Sequence, residues 1–193
     1  MTSSRRSQTV GQPARFLLAA MASMFFASCA ALPDDAPVVE QLDTETGVTI
    51  ARLGRPIELY RETFHQDPAG RFAFLGPFET NLMGTRELFL WIAVPVEPAA
   101  DAVPTVEING APLTLGVPGR STDFVGVHKS PYKIPTPWSS MYYFKVDAAA
   151  VTQLGEATKL TIRVLEPGKN GTVKTLFATE IGADTRLKDF AAR

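Results

Sequence analysis

The chain has 193 residues and a formal net charge of −1 at pH 7, with 15 prolines, 14 glycines, two histidines and one cysteine. That length suits one domain with a core that needs no staple, and a single cysteine excludes an intramolecular disulfide. Arg5, Arg6 and Arg15 are the only charged residues before Cys29, and all 20 acidic residues follow it. The remainder is therefore weakly acidic and lacks the dense basic face that nucleic acid requires.

Residues 1–15 read as a polar, basic leader. Phe16 to Ala27 follow as an apolar core of 12 residues. This lies within the roughly 7–15 residues of a signal peptide's apolar region and short of the roughly 20 of a spanning helix. Pro33, Asp34 and Asp35 then stop the apolar run. The Arg5-Arg6 pair does not make a twin-arginine signal, because Gln8 and Thr9 stand where that signal wants apolar residues. The run closes on Phe26-Ala27-Ser28-Cys29.

That ending resembles the lipobox of bacterial lipoproteins, where small residues precede an invariant cysteine; Ala27 and Ser28 fit, and Phe26 stands where the family usually has Leu. The resemblance implies cleavage after residue 28, a lipid thioether on Cys29 and an acylated (palmitate-type) amine. Several acyl chains hold a protein on a membrane persistently, since each buried methylene contributes about 0.8 kcal/mol. Ala30, rather than Asp, follows the cysteine, which in Gram-negative lipoproteins implies the outer membrane, facing the periplasm. Residues 1–28 are thus expected to be a signal peptide and 29–45 a lipidated N-terminus and tether. The prolines and aspartates of the tether favour solvated, extended backbone with a reach of roughly 30 Å over ten residues.

From residue 46 the pattern is period-two alternation, the strand signal. Val48 and Ile50, Ile57 and Leu59, and Phe72 and Phe74 each alternate with polar or small residues. Gly54-Arg55-Pro56 and Asp67-Pro68-Ala69-Gly70 supply turn chemistry between them. Glu87–Glu97 is apolar at both parities, which predicts a central strand buried on both faces and ending near Pro95. Asn109-Gly110 predicts a type I′ hairpin whose return strand starts late or lies at an edge because of Pro112. Asn170-Gly171 predicts a second hairpin, joining Leu160–Val164 to Val173–Phe177.

Gly116 to Ser140 is a long aperiodic stretch holding Pro118, Pro131, Pro135 and Pro137. Such loops tend to be functional or to hide an element. Met141–Val146 returns to strand. Asp147 reads as the N-cap of a two-turn helix over 148–154 ended by Gly155, and 184–192 as a short C-terminal helix. The fold class expected over 46–193 is all-β: an antiparallel β-sandwich, immunoglobulin-like or related, with one or two short helices. Asp43–Thr49, Asn81-Leu82-Met83-Gly84 and Trp138-Ser139 are also similar to segments of uncharacterised Gram-negative envelope lipoproteins, a likeness that implies no activity.

No stretch spells a catalytic motif. His65 and His128 lack the three or four ligands that a zinc site draws from His, Cys and carboxylate at recognisable spacing, so no metal and no cofactor is expected. Ser121, His128 and Asp123 offer the residue types of a nucleophilic triad without a nucleophile elbow. Glu58, Glu62, Glu79 and Glu87 could supply the paired carboxylates of a glycosidase, though on alternating strands such residues usually form the wet face. Tyr132, Trp138, Tyr142 and Tyr143 make the candidate binding surface, since proline stiffens their surroundings and their rings pair an apolar face with a polar tip. The competing reading is that Tyr132 and Trp138 fold inward and pin the loop. The expected function is a membrane-anchored envelope lipoprotein, a non-enzymatic binding or assembly module held by lipid on Cys29, with an envelope protein as partner. The alternatives are a carboxylate-dependent hydrolase or carbohydrate-active enzyme, and a periplasmic binder of a small or lipidic ligand.

Overall fold

A computed structural model describes residues 37–61, 72–96, 98–99, 102–133, 138–168, 171–182 and 184–193. Cys29 and the leader, His65, Glu62, the 67–70 turn and Asn170 lie outside them. The domain is all-β and sandwich-like, built from antiparallel strands with two short helices. The strands are β1 (Val38–Asp43), β2 (Val48–Leu53), β3 (Ile57–Arg61), β4 (Phe72–Leu82), β5 (Thr85–Val94), β6 (Thr105–Ile108), β7 (Ala111–Pro112), β8 (Ser140–Val146), β9 (Lys159–Gly168) and β10 (Gly171–Glu180). The helices are α1 (Ala148–Gly155) and α2 (Arg186–Ala191). Because β1 already pairs along its length with β2, the sheet takes in Val38–Asp43, and the folded part begins before residue 46.

The sheet forks at β4. One edge of β4 carries β5 and then β8. Its other edge is shared end to end: β2 pairs with Phe78–Asn81 and β3 with Phe72–Leu75. Gly54-Arg55-Pro56 is the kink that lets two consecutive strands share one edge. From β2 one branch ends at β1, and from β3 the other runs through β10, β9, β6 and β7.

β5 is the apolar strand anticipated above, and it stops at Val94 before Pro95. Residues 89–94 are all buried, both parities alike. Gly76, Trp91 and Tyr143 are register neighbours across β4, β5 and β8, as are Phe78, Phe89 and Lys145. A strap from Gly119 to Tyr132 covers this face. Phe124 meets Phe89 edge-on at 6.4 Å and Tyr132 lies 5.1 Å from Trp91, ring centre to ring centre. A Cβ on Gly76 would sit 2.5 Å from the Tyr132 ring, so only glycine admits it there.

The Tyr132 hydroxyl sits where the ladder opens at the fork. It accepts from Leu53 N (3.1 Å) and donates to the Pro77 carbonyl (2.5 Å). Pairing of β2 with β4 ends at Arg52 and Phe78, so the hydroxyl supplies the next rung in place of a backbone bond. The strap is pinned a second time by Asp43, whose carboxylate accepts the amides of His128 (2.5 Å) and Glu45 (3.1 Å).

The Asn109-Gly110 reading holds, with Ile108 and Ala111 paired across it. Asn109 and Gly110 have φ of 53° and 83°, and β7 is only two residues long. β9 and β10 form the second hairpin, but they pair from Gly168–Gly171 onward, which puts Gly171 in the strand rather than the turn; Asn170 lies outside the described residues. Asp147 caps α1 by accepting from Ala150 N at 2.8 Å. The β4–β5 hairpin turns on Met83-Gly84, also both at positive φ.

Candidate functional site

The four aromatic residues named from sequence do not form one surface. Tyr132, Tyr142 and Tyr143 are buried in the core, and only Trp138, 61 % exposed, faces solvent. The physical reason is register and contact. Tyr143 stands beside Trp91, Tyr142 pairs with Ile92 in the doubly buried layer, and Tyr132 closes the fork. Burial raises the hydroxyl pKa of all three.

A cleft forms instead beside β8. After β7 the chain stays against β6 for one more residue, Leu113 N donating to Val106 O at 2.8 Å. It then crosses to the outer edge of β8, where Gly119 exchanges both backbone bonds with Tyr143 (2.8 and 2.9 Å). The crossing segment and residues 103–105 enclose a cleft of about 600 Å³ floored by Phe144. Leu113 and Phe144 are buried, whereas Val117, 87 % exposed, forms the rim. Leu113, Leu115 and Val117 alternate with Thr114 and Gly116. That alternation is the sequence signal for an extended segment, and no partner strand follows it in the chain to single it out.

Beyond Gly119, the exposed Arg120 lays its guanidinium over the Tyr142 ring, 3.9 Å from the centroid. Tyr142 in turn stacks on Phe144, with centroids 6.4 Å apart and planes 15° apart. Burial raises the Tyr142 pKa and the Arg120 charge partly opposes that rise. Among the described residues no carboxylate forms an ion pair with Arg120.

Among the described carboxylates named from sequence, Glu58, Glu79 and Glu87 are dispersed. Glu79 is the register partner of Leu88, and Glu87 that of Thr80, so the two project from opposite faces. Glu79 pairs with Arg86 (3.6 Å) and Glu87 with Lys145. Glu58 lines a smaller hollow of about 200 Å³ with Glu180 and Asp184. There Arg186 bonds Asp184 and holds its carboxyl below the usual range, while Glu180 lies 3.7 Å from Lys159. His128 is engaged through its backbone, its carbonyl accepting from Thr122 Oγ1 at 3.5 Å. No hydrogen bond among the described residues joins the side chains of Ser121, Asp123 and His128. No group of three or more His, Cys, Asp or Glu side chains converges among them, and no helix there is long and apolar enough to cross a membrane.

Compared with protein-family models, with curated proteins and with solved structures, the chain matches none.

Proposed function

We propose that this chain is an envelope lipoprotein, anchored through lipid on Cys29 in the outer membrane and facing the periplasm, whose β domain binds another envelope component without transforming it. The observation that carries the anchor is the lone cysteine closing a short apolar run behind a basic leader. The cleft beneath residues 113–118 supports the binding half, because its size and apolar lining suit a ligand and few titratable groups face it. Carboxylates fixed in ion pairs on opposite faces support binding over acid–base hydrolysis.

An envelope protein as partner is the second reading. It is favoured by Leu82, Met83 and Phe124, exposed large apolar residues at or beside the β4–β5 tip, and by the exposed ring of Trp138. The anchor is tested by Cys29→Ala. Metabolic labelling with an alkyne fatty acid is expected to mark the unsubstituted protein and not the variant, and the variant is expected to move from the membrane to the soluble fraction. Retention of label or of full membrane association by Cys29→Ala would refute the anchor.

A further inference from the structure

We infer that the cleft beside β8 takes an amphiphile with an anionic head, its acyl chain on Phe144 and its head group on Arg120. The inference rests on reading that cleft as the binding site and adds the class of ligand. Three observations carry it. The first is the cleft itself, about 600 Å³ and lined mainly by valine, leucine and proline around Phe144. An apolar channel with one polar group at its end is how proteins orient a small ligand.

The second is the set of prolines. Pro104, Pro112 and Pro118 all line the cleft, and none has an amide hydrogen. An extended peptide would need backbone donors and acceptors at alternate positions to hold it, as in strand addition. An acyl chain needs none. The lining therefore suits a hydrocarbon better than a peptide.

The third is Arg120. Its guanidinium is held one ring away from the cleft floor, stacked on Tyr142, which stacks on Phe144. Arg120 is exposed, two residues beyond the cleft-lining Pro118, and no carboxylate pairs with it among the described residues. Arginine in this setting recognises carboxylate or phosphate through paired hydrogen bonds. A free fatty acid and an anionic lysophospholipid share that chemistry.

The test uses the full chain carrying Cys29→Ser, so that it has no acyl group of its own. N-phenyl-1-naphthylamine, a neutral apolar fluorophore, reports occupancy of the cleft and is displaced in turn by dodecanoate, 1-dodecanol, lysophosphatidylglycerol and lysophosphatidylcholine. Dodecanoate is expected to displace it at about one tenth the concentration of dodecanol, the ratio that one charge-assisted bond confers. Arg120→Gln is expected to bring that ratio near one. Val117→Glu, at the exposed rim, is expected to abolish fluorophore binding. Preference for dodecanoate alone identifies a free fatty acid; equal preference for lysophosphatidylglycerol over lysophosphatidylcholine identifies a phospholipid head. Fluorophore binding with a ratio near one in the unsubstituted chain, or a ratio indifferent to Arg120→Gln, overturns the head-group assignment alone. Absence of fluorophore binding, or binding indifferent to Val117→Glu, overturns the cleft as the site.

Discussion

Tyr132 shows how much one side chain can settle. Its ring fills the space that Gly76 leaves open, and its hydroxyl supplies a rung at the fork. Tyr132→Phe would leave Leu53 N and Pro77 O without that partner in a buried place, at a cost of about 1–3 kcal/mol measurable by urea unfolding. Asp43 holds the strap four residues before Tyr132, at His128. Its carboxyl pKa is lowered, first by the bond from the His128 amide, with burial opposing. A lowered folded-state pKa stabilises the fold above the ordinary carboxylate value near 3.8, and that contribution is lost as pH falls through the folded value. Asp43→Asn should therefore lower the unfolding temperature at pH 7, and the gap between the two proteins should shrink as pH drops below about 3.8. A gap that stays constant to pH 2 would show that the charge on Asp43 plays no part.

At the scale of elements, two hairpins show turn chemistry used and turn chemistry overridden. Asn109-Gly110 provides the positive φ that a type I′ turn demands. The Asn109 side chain does more, accepting from Thr158 N (2.8 Å), Thr158 Oγ1 (2.8 Å) and Lys159 N (3.0 Å), and so ties the hairpin to the start of β9. Met83-Gly84 uses the same geometry with a bulky residue at φ 51°, and Met83 is 99 % exposed. Pairing of Phe74–Leu82 with Thr85–Ala93 outweighs the local penalty. Met83→Asn should relieve it and stabilise the domain by about 1 kcal/mol, read as a higher denaturant midpoint. The strap from Gly119 to Tyr132 is also legible only in part. Prolines and the absence of alternation marked it as a loop. Nothing local disclosed that Phe124 and Tyr132 would face inward, because the rings they meet, Phe89 and Trp91, stand 35 and 41 positions earlier in the chain.

At the scale of the whole molecule, stability should be graded outward from β5, which is paired on both edges and covered on both faces. Amide hydrogen exchange should be slowest over Phe89–Val94 and faster over β1 and β7, which lie at the ends of the two branches. Equal protection of β1 and β5 would contradict that gradient.

What the sequence determined by itself was set by local physics. Period two and turn residues specified most strands, apolar residues at both parities marked β5 as central, and Asp147 capped the start of α1. Lone Cys29 behind its apolar run carried the proposal for location. The tertiary structure alone decided that β2 and β3 share one edge of β4, that three of the four named aromatics belong to the core, that Leu113, Leu115, Val117 and Phe144 meet around a cleft, and that Arg120 lies over Tyr142. These outcomes depend on which strands become neighbours. Antiparallel pairing leaves that choice to packing across the whole chain, so no short window of sequence contains it.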